Sequence, residues 1–581
     1  PLQAFPLTAN GKLDLKGLPA LNELLNARAA GGGTARNVRE EKIAGIWREV
    51  LNAERIGIFD NFFSVGGHSL NAIKVIARIH EELGVKIELG GLFRTPTIEG
   101  LALLVEGAES TPDQVLVPLS GLPSYEVSHA QKRLWIMDQL EAERVAYNLP
   151  VAYAIEGSLD ITALEAALHA LTERHEALRT VFLSSGGELT QQIKGIAESG
   201  FVLRYLDLRG RETTSDQVRA LVNQEAGKPF ALDEGPLLHA TVWQLTENNF
   251  VLLLALHHII VDDRSVQVIL SELLTLYTAH LEGQADALPP LRLQYKDFAA
   301  WQNRELGQEG VQQHRSYWID RFQQQAPVLN LPTDFDRAPL KRFQGEQLAF
   351  ALEADLAGKL QLLGRQSEAT VFMCLVAVVK ATLFKYTSQT DIVIGTSISG
   401  RDKPEFENLV GLFLNQLPLR TGFSAEDTFL SLLGKVKETT LEAYEHKMYP
   451  FDKLVDDLKL ERDPSRSPLF DVMVDFKEEN DALGRLSERE DFTITRFENA
   501  HTVSKFDFDI VFTQSADNIW GVIEYDTDLF RSDTMALFIR RLLKITEQVV
   551  EHPDLPLEAI DGRTDEELEL ERDLLSIEFN F

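Results

Sequence analysis

Two segments of this 581-residue chain place side chains where they can do chemistry. In the first, the apolar run Phe250–Leu256 leads directly into His257 and His258, and Asp262 follows four residues after the second histidine. Successive side chains of a strand point to opposite faces, so one imidazole can face a cavity while the other packs inside. An imidazole so placed can take a proton, or orient a nucleophile and steady a charged intermediate. Asp262 is expected to hold the loop, by reaching back to it or by pairing with a distant arginine. A zinc centre is not expected, because the pair has no third clustered histidine and no supporting cysteine. The second segment, Asp60–Leu70, reads DNFFSVGGHSL. Gly66 and Gly67 let the backbone turn, and Ser69, after His68, opens a helix. There its hydroxyl can cap free amides, or accept a modification whose phosphate the helix dipole favours. By residue type alone, both segments are also ordinary strand-end and helix-start chemistry.

The surrounding elements must position these groups. Asn37–Ala108 reads as a small helical bundle. Ile43, Ile46, Trp47 and Leu51 recur at helical spacing, and Leu70, Ile73, Ile76 and Ala77 mark the face of a second helix. A last short helix starts near Pro96–Thr97. Flexible joints flank the bundle: AAGGGT at 29–34, and the stretch 109–124 with Pro112, Pro118 and Pro123. From Tyr125 onward strands alternate with helices. Phe250–Leu256 suits a buried central strand. Ser265–Leu281 reads as an amphipathic helix with Val266, Ile269, Leu270, Leu273 and Tyr277 inward. Asp391–Ser397 and Phe470–Phe476 read as further strands. The α/β stretch is long for one core, which predicts two lobes.

Composition narrows the partners. The 89 acidic residues against 57 basic ones give a net charge of −32, which repels nucleic acid and anionic membrane surfaces. The longest apolar runs, Phe250–Val261 and Val371–Val379, fall short of the roughly 20 residues that cross a bilayer. The single cysteine, Cys374, can form no internal disulfide and reads as a buried small hydrophobe in a reducing, cytoplasmic setting. The chain opens without a methionine or a signal pattern, which predicts a piece of a longer protein.

Whole segments carry more than single residues. DNFFSVGGHSL resembles the attachment motif of acyl- and peptidyl-carrier proteins, and the resemblance implies that Ser69 carries 4'-phosphopantetheine. The HHIIVDD segment resembles the HHxxxDG signature of nonribosomal peptide synthetase condensation domains. Further motifs resemble that family in order: SHAQKRLW (Ser128–Trp135), RHEALRTVF (Arg174–Phe182), YKDFAAW (Tyr295–Trp301), VGLFLNQLPLR (Val410–Arg420), HKMYPFD (His446–Asp452) and RDPSRSPLF (Arg462–Phe470). The resemblance implies an all-α four-helix carrier bundle followed by an α/β condensation domain. The latter would be made of two chloramphenicol-acetyltransferase-like lobes in a V, with a tunnel between them.

By the same resemblance the chain joins a donor acyl or peptidyl thioester to the amine of a downstream aminoacyl carrier. His258 faces the tunnel beside His257. Asp262 pairs with Arg401, or as second choice Arg179. Ser265 caps the following helix, and Asn415 matches the asparagine of the fifth motif. Asp263 stands where the family has glycine and Arg264 where it usually has tryptophan. The glycine is expected to permit a tight turn. The aspartate is expected to raise the His258 pKa, to narrow the passage, or to mark an inactive domain that recruits carriers or tailoring enzymes. NGKLDLKGL (Asn10–Leu18) resembles the end of an adenylation domain, with Lys12 at its lysine.

The implied order is adenylation tail 1–28, linker 29–36, carrier 37–108, linker 109–124, condensation lobes 125–300 and 301–562, and the linker 563–581 to a next adenylation domain. No epimerising domain stands between carrier and condensation domain, so an L-configured donor is expected. The expected partners are a downstream acceptor carrier, adjacent adenylation domains and a phosphopantetheinyl transferase, with no nucleic acid, membrane or metal.

Overall fold

The computed structural model describes residues 33–67, 69–85, 87, 89–108, 116–140, 145–284, 287–308, 310–323, 326–460, 463–479, 492–497, 503–515, 518–564 and 566–569. The expected adenylation tail with Lys12, His68, the start of the 109–124 joint and residues 570–581 lie outside this set. Contacts divide the chain into two units: residues up to 114 with 364–371, and 115–363 with 372–581.

The first unit contains the helices Val38–Leu51, Ser69–Leu83, Leu89–Arg94 and Ile98–Gly107. Asn37 and Thr97 cap two of them by accepting from the amides of Glu40 and Gly100. Ile43, Ile46, Trp47, Phe62, Val75, Ile79, Leu92 and Leu101 are fully buried, and the Trp47 and Phe62 rings meet edge to face at 4.8 Å. The second helix differs from expectation. Its buried face includes Ala72, Val75 and Ile79, while Ile76 and Ala77 are half-buried. The side chains of Leu70 and Ile73 lie outside the described set.

In the second unit a five-stranded sheet has the order Phe492–Arg496, Asn148–Gly157, Asn249–His257, Leu238–Gln244, Leu203–Asp207. Asn249–His257 is central, and every residue from Phe250 to His257 is buried, as its unbroken apolar run predicts. The helices Ile161–Arg174 and Asp263–Glu282 pack against each other. The inward side of Asp263–Glu282 carries Val268, Ile269, Leu273 and Tyr277, with Val266 and Leu270 only half-buried. A six-stranded sheet follows the order Leu414–Gly422, Asp391–Ser399, Val472–Glu478, Phe508–Gln514, Ile519–Asp526, Gly345–Leu352. A small third sheet joins Tyr125–Glu126, Glu188–Ile193 and Thr180–Ser185. Cys374 is buried in helix Val371–Thr387. No single helix among the described residues is long and apolar enough to cross a membrane.

The two halves are not separated where the sequence suggests. The boundary at 300/301 falls inside helix Tyr295–Leu306. Strand Phe492–Arg496, from the second half, forms the edge of the first half's sheet, pairing antiparallel with Asn148–Gly157. Phe492 is 4% exposed and its ring meets Tyr277 at 5.9 Å. Removing that ring leaves a cavity under the crossover strand, so Phe492→Ala is expected to cost about 3–5 kcal/mol. Hydrogen exchange checks this: amides of Asn148–Gly157 should exchange faster, while those of Asp391–Ser399 stay protected.

Candidate functional site

Strand Asn249–His257 ends at the first histidine, and a single 3-10 turn, His258–Ile260, reverses the chain. His257 is buried, and its Nδ1 accepts from the Ile259 amide at 3.2 Å. Burial drives its pKa down to about 3, so it is neutral and packs within the core. His258 is only half-buried. Its amide donates to the Tyr147 carbonyl at 2.8 Å, and its Nδ1 lies 2.7 Å from the Val261 carbonyl. A carbonyl can only accept, so Nδ1 carries the proton and Nε2 keeps its lone pair. Strand alternation was expected to turn one imidazole to a cavity; instead the strand ends at His257, and the 3-10 turn buries His257 and leaves His258 half-buried.

Asp262 closes the turn. Its side chain accepts from the Ser265 amide at 2.7 Å and so caps helix Asp263–Glu282. The capping residue is therefore Asp262 and not Ser265 as expected. Arg401 donates from Nη2 to Asp262 Oδ1 at 2.8 Å, and the pair is 6% and 1% exposed. The same guanidinium donates to the carbonyls of Phe406 and Leu409 and lies 3.9 Å from the Phe413 ring centre. Asp262 Oδ2 accepts from the Phe413 amide at 3.1 Å. The Ser265 hydroxyl joins this network, 2.7 Å from Asp262 Oδ1 and accepting from the Gly411 amide at 3.0 Å. The second-choice partner, Arg179, is engaged elsewhere: it donates to the Lys194 carbonyl at 2.6 Å.

The other motifs brace the same turn. Gln131 donates to the Ile259 carbonyl at 3.4 Å. Ser128 Oγ meets Tyr295 Oη at 2.7 Å, and Tyr295 donates to the Leu412 carbonyl at 2.5 Å. A Cβ on Gly411 would fall 1.8 Å from Tyr295 Cδ2, so this position admits only glycine. Asn415 Nδ2 donates to the carbonyls of Lys447 and Tyr449, pinning the HKMYPFD segment. Asn415 is thus a brace within the second half.

The second sheet supplies charges outside the segments that stand out in the sequence. Asp475 and Lys477 alternate along Val472–Glu478. The register pairs Met473 with Asp509, Asp509 with Glu524, and Glu524 with Gln347. Paired residues share a face, so these groups form one polar row. Their alternation within otherwise apolar strands was the available signal. Lys477 forms an ion pair with Asp263, joining this sheet to the start of helix Asp263–Glu282. Both partners are about half exposed, 48% and 50%. Asp263 is helical, with no positive φ, so glycine is not needed for the turn and the aspartate changes only space and charge.

Lys505 is half-buried, with Nζ 5.1 Å from the Tyr147 ring centre. Burial first, then the Lys505 ammonium, holds the His258 imidazole below its usual range. Asp263 pushes it upward, as expected, but is outweighed.

Ser69 opens helix Ser69–Leu83, whose first turn carries no acidic residue. Gly66 has φ +102°, and a Cβ on Gly67 would meet the Phe62 ring at 2.4 Å. A tight, acid-free helix start suits a phosphodiester on that serine. Among the described residues no cluster of three potential metal ligands occurs.

Residues 123–570 match the family model described as "Condensation domain", and residues 41–105 match "Phosphopantetheine attachment site". Gramicidin S synthase 2 of Brevibacillus brevis is 36% identical over 100% of this chain and 13% of its own length. Surfactin synthase subunit 1 of Bacillus subtilis (strain 168) is 35% identical over 97% of this chain and 15% of its own length. The chain therefore spans a small part of these relatives. Among solved structures, the complex of the X-domain and OxyB from teicoplanin biosynthesis superposes with a TM-score of 0.71 at 26% identity, covering 78% of this chain and 99% of that one. A four-domain nonribosomal peptide synthetase bound to AMP and glycine gives 0.68 at 20% identity, covering 76% of this chain and 34% of that one.

The buried pair yields a direct expectation. Leaving either charge alone in the interior costs about 3–5 kcal/mol. Asp262→Asn should lower thermal stability accordingly. Arg401→Met should cost much less in the Asp262→Asn background than in the wild type.

Proposed function

The chain belongs to the condensation-domain family of nonribosomal peptide synthetases, with a phosphopantetheine attachment domain ahead of it, and we propose that its second unit forms amide bonds. The donor is an acyl or peptidyl thioester, the acceptor is an aminoacyl amine on a downstream carrier, and the donor is L-configured at its reacting end. One observation carries this reading: His258 offers an unprotonated Nε2 from a half-buried imidazole held in one tautomer. A phosphopantetheine on Ser69 supplies a thiol on a long arm, which holds the donor as a thioester. A phosphopantetheinyl transferase installs it, and adjacent adenylation domains supply the amino acids.

The chain's own residues then act in order. Asp262, Arg401 and Ser265 hold the His258 turn rigid. His258 Nε2 accepts a hydrogen from the incoming amine and orients its lone pair toward the carbonyl. His257 stays neutral in the core and positions its neighbour. Because the fixed imidazole is already neutral, little reorganisation is needed when the amine arrives.

A second reading has its own support. Asp263 and Lys477 link the start of helix Asp263–Glu282 to the six-stranded sheet beside His258, and the chain is similar to an X-domain solved with OxyB. In that reading the domain binds a carrier or a tailoring enzyme without making a bond. The amide-forming reading is preferred because a half-exposed ion pair is worth at most about 1 kcal/mol and yields readily to a substrate.

The test is reconstitution. Ser69 is loaded with an aminoacyl pantetheine, a downstream aminoacyl carrier is added, and dipeptide is followed by mass spectrometry. Wild-type protein should give product, Ser69→Ala should accept no pantetheine, and His258→Ala should lose at least about 100-fold in rate. Asp263→Gly should keep or raise the rate. Tight carrier binding with no product from any substrate pair favours the second reading. Loading D-configured donors in parallel checks stereochemistry, and faster turnover of those donors overturns the L assignment.

A further inference from the structure

Lys505 is the charged group near His258 that the mechanism above leaves unused. It lies outside every motif recognised in the sequence. Its segment is pinned on both sides. The Ser504 amide donates to the Phe343 carbonyl at 3.2 Å, and on the other side of Lys505 Asp507 is gripped by Arg337, whose Nη1 donates at 2.8 Å. The Asp507 amide also donates to the Asp471 carbonyl at 2.8 Å. From this fixed base the lysine side chain crosses to the first half of the unit and rests on the Tyr147 ring, 5.1 Å from its centre. Tyr147 is the residue whose carbonyl holds the His258 amide at 2.8 Å. Among the described residues Nζ has no hydrogen-bond partner, so its donors are uncommitted.

Lysines on a protein surface are solvated and mobile, whereas this one is half-buried on an anchored segment beside an imidazole. Glu524, Asp263 and Asp509 are its acidic neighbours; burial pushes the Asp509 and Glu524 carboxyls above their usual range, and burial outweighs all three in holding the Lys505 ammonium below its own. Lys477 is occupied by Asp263, which leaves Lys505 as the ammonium with open donors at this end of the polar row.

We propose that Lys505 is a substrate-contacting residue of the amide-forming reaction, whose ammonium, held over Tyr147 beside His258, donates a hydrogen bond to the thioester carbonyl oxygen as it becomes an oxyanion. In the addition step the amine lone pair forms the C–N bond and the carbonyl π electrons move to oxygen, where Lys505 meets the new charge. In the collapse step the C=O bond re-forms, the C–S bond breaks, and the thiolate leaves with the proton shed by nitrogen through His258. Lys505 gains and loses no proton. An ammonium aimed at an oxygen that becomes charged only in the transition state raises kcat and leaves substrate binding little changed.

This inference rests on the amide-forming reading, so the test separates the two. Lys505→Met and Lys505→Arg are compared with wild-type protein in the dipeptide assay, with circular dichroism melting as a check on folding. The expected result is a fall in kcat of about 100-fold for Lys505→Met, with KM within about twofold and an unchanged melting curve. Lys505→Arg should recover at least a tenth of the wild-type rate. In ¹⁵N-histidine spectra the His258 titration midpoint should move up in Lys505→Met, because the repelling charge is gone. A Lys505→Met rate within about threefold of wild type, or an Arg variant no better than Met, overturns the proposal. Wild-type protein that makes no product overturns the amide-forming reading instead. The titration midpoint then decides whether Lys505 acts on His258, and an unmoved midpoint overturns that too.

Discussion

The structure of the site depends on one buried ion pair, Asp262 with Arg401. Two charges taken out of water are costly unless every donor and acceptor finds a partner. Here the carboxylate meets a guanidinium, a hydroxyl and two backbone amides, and the guanidinium also meets two carbonyls and an aromatic face; of the pair, only Arg401 Nε is left buried and unbonded among the described residues. The network is therefore rigid. It ties the turn that follows the double histidine to the chain around residues 406–413, which is distant in sequence. Asp262 acts on His258 through this geometry and, more weakly, through its charge, which pushes the imidazole pKa upward.

That rigidity explains the assignment of roles within the histidine pair. The turn buries His257 and leaves His258 half-exposed with one nitrogen committed to the Val261 carbonyl. Burial and a neighbouring ammonium keep the imidazole neutral, and the aspartate at the position of the family's glycine does not reverse this. The six-stranded sheet contributes charge to the surroundings of His258 through Lys477, which pairs with Asp263.

Much of this was legible in the sequence because it follows from local rules. An unbroken apolar run gives a central strand, whereas the division of the two imidazoles comes from the turn that starts at His258 and not from strand alternation. The expected pairing of Asp262 with Arg401 is present in the structure. What was missed depends on contacts between residues far apart. Nothing near residue 490 announces that Phe492–Arg496 crosses to the other half's sheet. The helix cap moved from Ser265 to Asp262 because one carboxylate both caps and pairs. Val371–Thr387 reads as purely apolar up to Val379, yet it buries Lys380, whose Nζ donates to the carbonyls of Ile392 and Leu419 at 2.7 and 2.8 Å. Lys477 and Lys505 gain meaning only when two sheets face the same turn.

The central claim is that the fold presents His258 as a neutral imidazole with a free Nε2. The most direct measurement is the ¹⁵N chemical shift of its two ring nitrogens at pH 7 in protein labelled at histidine, with His258→Asn assigning the signals. The expected signals are a protonated, pyrrole-type Nδ1 and an unprotonated, pyridine-type Nε2. An Nε2–H tautomer, or a doubly protonated ring at that pH, would contradict the claim.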